Sequence, residues 1–362
     1  WRKDGLLRSW TRANEDARIV LTTIQTAISE DFRSLLEEGD QLFFIADEVH
    51  RMGSPEHQKI LNMESGPRLG LSATPRRAGD PEGTEAIMNY FEGIVQPPFT
   101  LKDAIDAGRL APYFYHVHTV SLTPDEQEDW EEETKKISER YARAKSSDET
   151  DPDELEYIKQ LQIQRAKIIK KARNKVDKAK EVIRRYYEPD HRWLIYCSDL
   201  EQLGAVVDAL RQQGYDNVLE YHSQMDGDRE QTLNYFERNG GIIVSVKCLD
   251  EGVDIPNATH ALILASSKNP REFIQRRGRV LRKSENKNFA NIHDAVVLPH
   301  ETDVDAPVAN ILEGELARSI KFGEDAESSK AIADLKEIAI DAGVDYEKIA
   351  ETGFEVDTDD DK

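Results

Sequence analysis

Only two cysteines, Cys197 and Cys248, occur in 362 residues, both inside apolar strand-like runs, so a disulfide framework is excluded and buried reduced thiols are expected. Long apolar runs are missing too. None approaches the ~20 residues that span a bilayer, and no leader pattern opens the chain. No membrane partner is expected, and a cytoplasmic location is. Positive charge is the scarcest quantity. With 48 Lys and Arg against 70 Asp and Glu the formal net charge is −22, which removes the broad basic footprint by which nucleic-acid-binding proteins neutralise phosphates. Such a partner would have to be met by local basic patches, or by an acidic surface suited to high salt. No internal repeat, zinc-ligand spacing or nuclease-like cluster is present.

What is present begins with Asp47-Glu48-Val49-His50, directly behind the apolar run Leu42-Phe43-Phe44-Ile45-Ala46. Five apolar residues without alternation predict a strand buried on both faces, as in a parallel sheet covered by helices. The carboxylates then fall at its carboxyl end, the edge where open α/β sheets bind ligands. Two acids there suit a Mg²⁺ site, one holding the metal and the other orienting or deprotonating a water. The same pair is also a common solvated strand end. Ser72-Ala73-Thr74-Pro75 follows a second short strand, 68–71, and Pro75 fixes the turn so that Ser72 and Thr74 are presented at the same edge. Further along stand Glu251-Gly252-Val253-Asp254-Ile255-Pro256 and Gln275-Arg276-Arg277-Gly278-Arg279-Val280-Leu281-Arg282. Arginines this dense repel one another unless they share an anion, and their planar forks match phosphate oxygens bidentately.

In this order and spacing the four stretches resemble motifs II, III, V and VI of superfamily 2 helicases and translocases. The similarity covers roughly residues 1–300 and looks closest to type III restriction helicase subunits and XPB-like DNA helicases. It implies an α/β fold of two RecA-like parallel-sheet lobes with a long helical insertion between them. The expected divisions are a partial first lobe over 1–120, a helical hairpin over 121–188, a second lobe over 189–304, and C-terminal helices with an acidic tail over 305–362. It also implies ATP and Mg²⁺ as cofactors, with ATP hydrolysed between the lobes to drive movement along nucleic acid, double-stranded DNA by the closest resemblance. Asp47 and Glu48 would hold the metal and activate water, and His50 would couple the ATP site to Ser72 and Thr74. Gly252 and Asp254 would approach the nucleotide, while Gln275, Arg279 and Arg282 would reach its γ-phosphate.

No G-x-x-x-x-G-K-[ST] phosphate loop occurs in the chain, which starts at Trp1 as though inside a helix. The resemblance therefore implies a family member cut before motif II, with the phosphate loop upstream and the piece alone inactive. A remnant serving as a non-catalytic nucleic-acid-binding or assembly subunit is the rival reading. A third reading is the motor of a restriction or antiviral defence complex, partnered by a nuclease subunit.

Arg18 to Gln25 reads as a strand with Thr22, Thr23 and Gln25 at its end. These are neutral donors suited to phosphate oxygens, or simply the cap of the next helix, for which Ser29 is the N-cap candidate. The passage 107–115 reads as the last strand of the first lobe. His116 and His118 alternate along it and lack a third ligand for a metal. Between Thr123 and Tyr187 glycine and proline almost vanish, predicting an acidic helical arm followed by a basic one. The ten Lys and Arg from Arg165 to Arg185 are either a phosphate-contacting stripe or a solvated face paired with the acidic arm. From His191 onward strands and helices alternate as βαβ units. His222 follows one strand in a loop similar to one that approaches the nucleic-acid backbone in the family. Motif V lacks the family's threonine, leaving Ser245 or Lys247 as its substitute contact. Two C-terminal helices, 306–322 and 329–342, are expected to pack back on the second lobe.

Overall fold

The computed structural model describes residues 5–13, 16–77, 80–145, 152–246, 257–265, 278–284, 287–298 and 306–352. Two compact units result, divided between Pro98 and Phe99.

The first unit contains helices α1 (Leu6–Thr11), α2 (Ile24–Ala27) and α3 (Glu30–Arg33), strands β1 (Phe44–Ala46) and β2 (Arg68–Gly70), and helix α4 (Pro81–Phe91). β1 and β2 pair in parallel, Ala46 opposite Gly70. Their inner face joins Val49, Met52, Ile60 and Ile87 in a small core. The expectation of a strand buried on both faces fails here: Phe43 is 58% and Ile45 54% exposed. Alternation along a strand sends these two side chains to the face opposite Ala46, where nothing covers them. Residues 18–23 likewise form no strand, and Leu21 is 91% exposed. Apolar β-formers become a strand only where a neighbour accepts their backbone hydrogen bonds. Ser29 does cap α3, accepting from the Phe32 N–H at 3.4 Å.

The second unit is built on a six-stranded parallel sheet ordered β3-β8-β7-β4-β6-β5. Its strands are β3 (Tyr113–Ser121), β4 (Arg192–Cys197), β5 (Val218–Tyr221), β6 (Gly241–Val246), β7 (His260–Ile263) and β8 (Ala290–Leu298). Helices α6 (Pro124–Lys145), α7 (Pro152–Lys171), α8 (Asn174–Tyr186), α9 (Leu200–Gln212) and α10 (Arg229–Asn239) follow the chain after a short α5 (Leu101–Asp106). On one face Trp193, Ile195 and Val244 meet Val182, Ile183, Val206 and Leu210 from α8 and α9. On the other, Leu194, Tyr196 and Ile243 meet Phe236 of α10 and Leu316, Ile320 and Leu335 of the C-terminal helices Ala306–Glu324 and Lys330–Asp341. The central strands are therefore apolar throughout, as parallel strands between two helical layers must be.

β3 corrects the first-lobe assignment of its passage. It is the edge strand of this second sheet, in register with β8 from Tyr113 opposite Ala290 to Ser121 opposite Leu298. The pattern of a lone strand carries no record of its partner, so residues 99–120 could not be allotted from sequence. The hairpin also differs from expectation, because the basic arm breaks between α7 and α8. Its cations are largely engaged: Arg173 binds Asp125 and Glu126, Lys171 binds Asp199, Lys178 binds Glu181 and Lys180 binds Asp177. Arg165 and Lys175 are buried. The basic arm is thus partly paired with acidic neighbours and partly buried. Behind β8, the buried Arg318 donates to Asp294 at 2.5 Å and to Glu315 at 3.0 Å, and Tyr115 Oη donates to Asp294 at 2.9 Å. Removing one member of such a set strands the others, which typically costs about 3–5 kcal/mol.

Four histidines line the α8 face of the sheet. His118 Nε2 lies 2.9 Å from His293 Nδ1, the His116 ring stacks on His293 at 4.5 Å, and His260 stacks on Trp193 at 4.5 Å. Burial, reinforced by the neighbouring imidazoles, pushes His118 down to about 4 and His260 to about 3, and holds His293 well below the usual imidazole range. All four are held neutral while the unfolded chain takes up protons below pH ~6.5, so stability falls as pH drops from there toward about 4. Urea denaturation at about pH 5 should give a stability roughly 2–4 kcal/mol below that near pH 7.5, and His118→Gln should shrink the difference. Equal stability at both values would remove the histidines from this role.

Candidate active site

The first unit brings together residues separated by a score of positions in the chain. Parallel pairing of β1 with β2 is continued by the Leu71 N–H on the Ala46 carbonyl, 2.8 Å, and the Val49 N–H on the Leu71 carbonyl, 3.0 Å. Gly70 is needed at this approach, since a Cβ there would lie 3.0 Å from the Val49 side chain. His50, only 3% exposed, then points Nδ1 at Ser72 Oγ, 3.0 Å, and at Glu48 Oε2, 3.3 Å. Ser72 Oγ also accepts the Thr74 N–H at 3.2 Å. Glu48, His50, Ser72 and Thr74 are thereby one connected set. Asp47, exposed at the strand's end, accepts the Glu48 N–H through Oδ1 at 2.9 Å.

Glu48 adopts φ 47°, ψ 49°, the left-handed region that side chains with a Cβ avoid. This turn directs its carboxylate back toward His50 rather than along the strand. Two residues that the sequence reading missed secure it. Arg77 donates to the His50 carbonyl at 2.7 Å and to Asp80 Oδ2 at 2.7 Å, while Asp80 caps α4 through the Gly83 N–H at 2.7 Å. Only the Asp80-Pro81 start of α4 signalled this brace in the sequence.

Asp47 and Glu48 fit a Mg²⁺ that also takes water and phosphate oxygens, because such a site needs only one or two carboxylates from the protein. Among the described residues the one three-donor cluster is elsewhere, at Glu188, Asp190 and His191.

In the second unit Arg279 is 9% exposed and Arg282 is exposed, on the turn that ends the helical stretch 278–280. His222 is half-buried, with Nε2 3.7 Å from Glu220. Ser245 corrects its expected role: it is fully buried and donates to the Ile195 carbonyl at 3.4 Å, so it has no surface to offer a phosphate. A serine at the end of an inner strand is consumed by the sheet. Thr22, Thr23 and Gln25 are exposed, and Thr23 Oγ1 caps α2 by accepting the Thr26 N–H at 3.3 Å. Lys247, Gly252, Asp254 and Gln275 lie outside the described residues.

Two family models match the chain, "Type III restriction enzyme, res subunit" over residues 3–77 and "Helicase conserved C-terminal domain" over residues 160–284. Over these two stretches the chain is similar to superfamily 2 helicases. Among curated superfamily 2 relatives, the DNA 3'-5' translocase XPB2 of Sulfurisphaera tokodaii is 27% identical over 259 residues, 67% of this chain and 56% of the relative. Rad25 of Haloarcula marismortui is 24% identical over 269 residues, 73% of this chain and 37% of the relative. The chain thus spans about half or less of the length of these helicase relatives. A solved structure, the ATP-dependent Type ISP restriction-modification enzyme LlaBIII bound to DNA, superposes with a TM-score of 0.50 at 15% identity, covering 94% of this chain and 25% of that one. The likeness supports a RecA-like α/β fold.

The left-handed backbone at Glu48 costs about 1–2 kcal/mol. Glu48→Asn, which tolerates that conformation better, should therefore unfold at equal or higher urea concentration than the wild type. A clear loss of stability would show that Glu48 is not strained.

Proposed function

We propose that the protein is an ATP-dependent translocase or helicase that moves along double-stranded DNA. The observation that carries this reading is the Glu48–His50–Ser72 set at the carboxyl end of paired parallel strands, where motifs II and III meet through side chains. Similar proteins add to it, one relative being a DNA translocase and one protein of similar fold a restriction-modification enzyme bound to DNA.

Phosphoryl transfer asks mainly for positioning and for charge near the terminal phosphate. Glu48 accepts the proton of the attacking water, with His50 holding the carboxylate on one side. Asp47 and Glu48 are the residues that hold Mg²⁺, which neutralises charge on the phosphates when bound. Arg279 and Arg282 carry positive charge to the γ-phosphate, and a finger of this kind contributes roughly 10³-fold or more in rate. Ser72 and Thr74, tied to His50, pass the presence of nucleotide to the surface that holds DNA. Thr22, Thr23, Gln25 and His222 supply hydrogen-bonding contacts to that backbone and Lys247 a positive charge, which asks for no broad basic footprint in a chain of net charge −22. Service as the motor of a restriction complex is a second reading, favoured by the match of residues 3–77 to a type III restriction subunit.

The test is ATPase activity of the protein as encoded, with duplex DNA and RNA compared at low and high salt. Glu48→Gln should keep ATP binding and lose at least about a hundredfold in turnover. Retained turnover in that variant removes Glu48 from its role. Arg282→Ala should lower turnover by about 10³-fold with DNA affinity unchanged, and a normal rate counts against the arginine assignment.

A further inference from the structure

The turn that carries Arg279 and Arg282 ends a helical stretch, and the last carbonyls of a helix have no partner within it. Here each one is met. The Arg279 carbonyl accepts from the Arg282 N–H at 3.4 Å, and the Leu281 carbonyl from the Ala111 N–H at 2.7 Å. The carbonyls on either side of Leu281 are taken by a single side chain. Lys287 Nζ donates to the Val280 carbonyl and, at 2.9 Å, to the Arg282 carbonyl. Lys287 is only 5% exposed, and Val280 and Leu281 between its two contacts are at 1% and 0%.

An ammonium is costly to bury, and here it is buried against the backbone of the turn that carries Arg279 and Arg282. An apolar residue would fill the same space without that penalty. What the ammonium adds is three directed donors and a positive charge at the negative end of the helix. Burial draws Lys287 down to about 8, so it remains charged at neutral pH. Both donors to the turn are anchored rigidly. Ala111 leads into β3 and Lys287 into β8, strands paired from Tyr113 opposite Ala290 onward. The sequence passage 107–115, which had no role beyond forming a strand, is thus one jaw of a clamp.

We propose that Lys287 is a positioning residue for the arginine pair, its ammonium fixing the Val280 and Arg282 carbonyls and through them the direction of the Arg279 and Arg282 guanidiniums. This rests on the reading of those arginines as phosphate contacts. Fixing the peptide carbonyls fixes the backbone from which each guanidinium extends, and a displacement of about 1 Å at its tip costs on the order of 10²-fold in rate.

The experiment is a double-mutant cycle on DNA-stimulated ATPase activity of the protein as encoded. Lys287→Met should lower kcat by about tenfold or more while KM for ATP and affinity for duplex DNA stay within about twofold. Lys287→Arg, which keeps the donors, should recover part of the loss. In an Arg282→Ala background Lys287→Met should cost clearly less than in the wild type, because of the two guanidiniums it aims only Arg279 is left. If Lys287→Met lowers the folded fraction in a melting scan, Lys287→Gln, which keeps one donor group, enters the same cycle. Unchanged kcat, or a loss that adds in full to that of Arg282→Ala, overturns the inference and leaves the arginine reading standing. Normal turnover in Arg282→Ala overturns the arginine reading itself, and the role of Lys287 with it.

Discussion

A pair of three-residue parallel strands is the constraint on which the candidate site depends. β1 ends at Ala46 and β2 at Gly70, and their register alone decides that the residues just beyond each strand emerge side by side. The imidazole of His50 can then touch Ser72 and Glu48 together. Were the pairing shifted by one residue, the alternation of side chains would turn Ala46 outward and the set would come apart. Gly70 enforces the approach sterically, and Arg77 ties the following loop to the His50 carbonyl. The strained backbone of Glu48 is tolerated because so many contacts around it are fixed.

The second unit solves a different problem. It presents cations on a turn whose own charges repel, and it does so by anchoring the turn to a rigid sheet. A largely apolar core holds the six strands, while the buried Arg318, Asp294, Glu315 and Tyr115 tie the C-terminal helix Ala306–Glu324 to β8. The sheet's opposite face carries neutral histidines packed ring on ring, which leaves that layer sensitive to acid. Acidic and basic residues of the helical hairpin largely satisfy one another, so the overall negative charge is not relieved by an exposed basic arm.

Much of this was legible in advance. The motif order, the βαβ rhythm after His191, the helix cap at Ser29, and the packing of the C-terminal helices all follow from local pattern. The connection of His50 to Ser72 was expected from the family resemblance and is present as a hydrogen bond. Other expectations failed for one common reason. β3 was placed in the wrong sheet, Ser245 was taken for a surface group, and the strand before Asp47 was taken as covered on both sides. Each depends on which partner lies alongside, and apolar periodicity does not name a partner.

Local composition by itself therefore determined the element types and the chemical character of the sites: carboxylates after a strand, arginines at a helix end, an uninterrupted charged hairpin. Those properties reside in single segments, in their periods and their turn residues. Tertiary structure alone decided that Arg77 braces His50, that Ala111 and Lys287 hold the arginine turn, and that Arg173 of the basic arm is paired with Asp125 and Glu126 of the acidic one. These contacts join residues far apart in the chain, and only the register of paired strands and the packing of helices against them brings such residues within hydrogen-bonding distance.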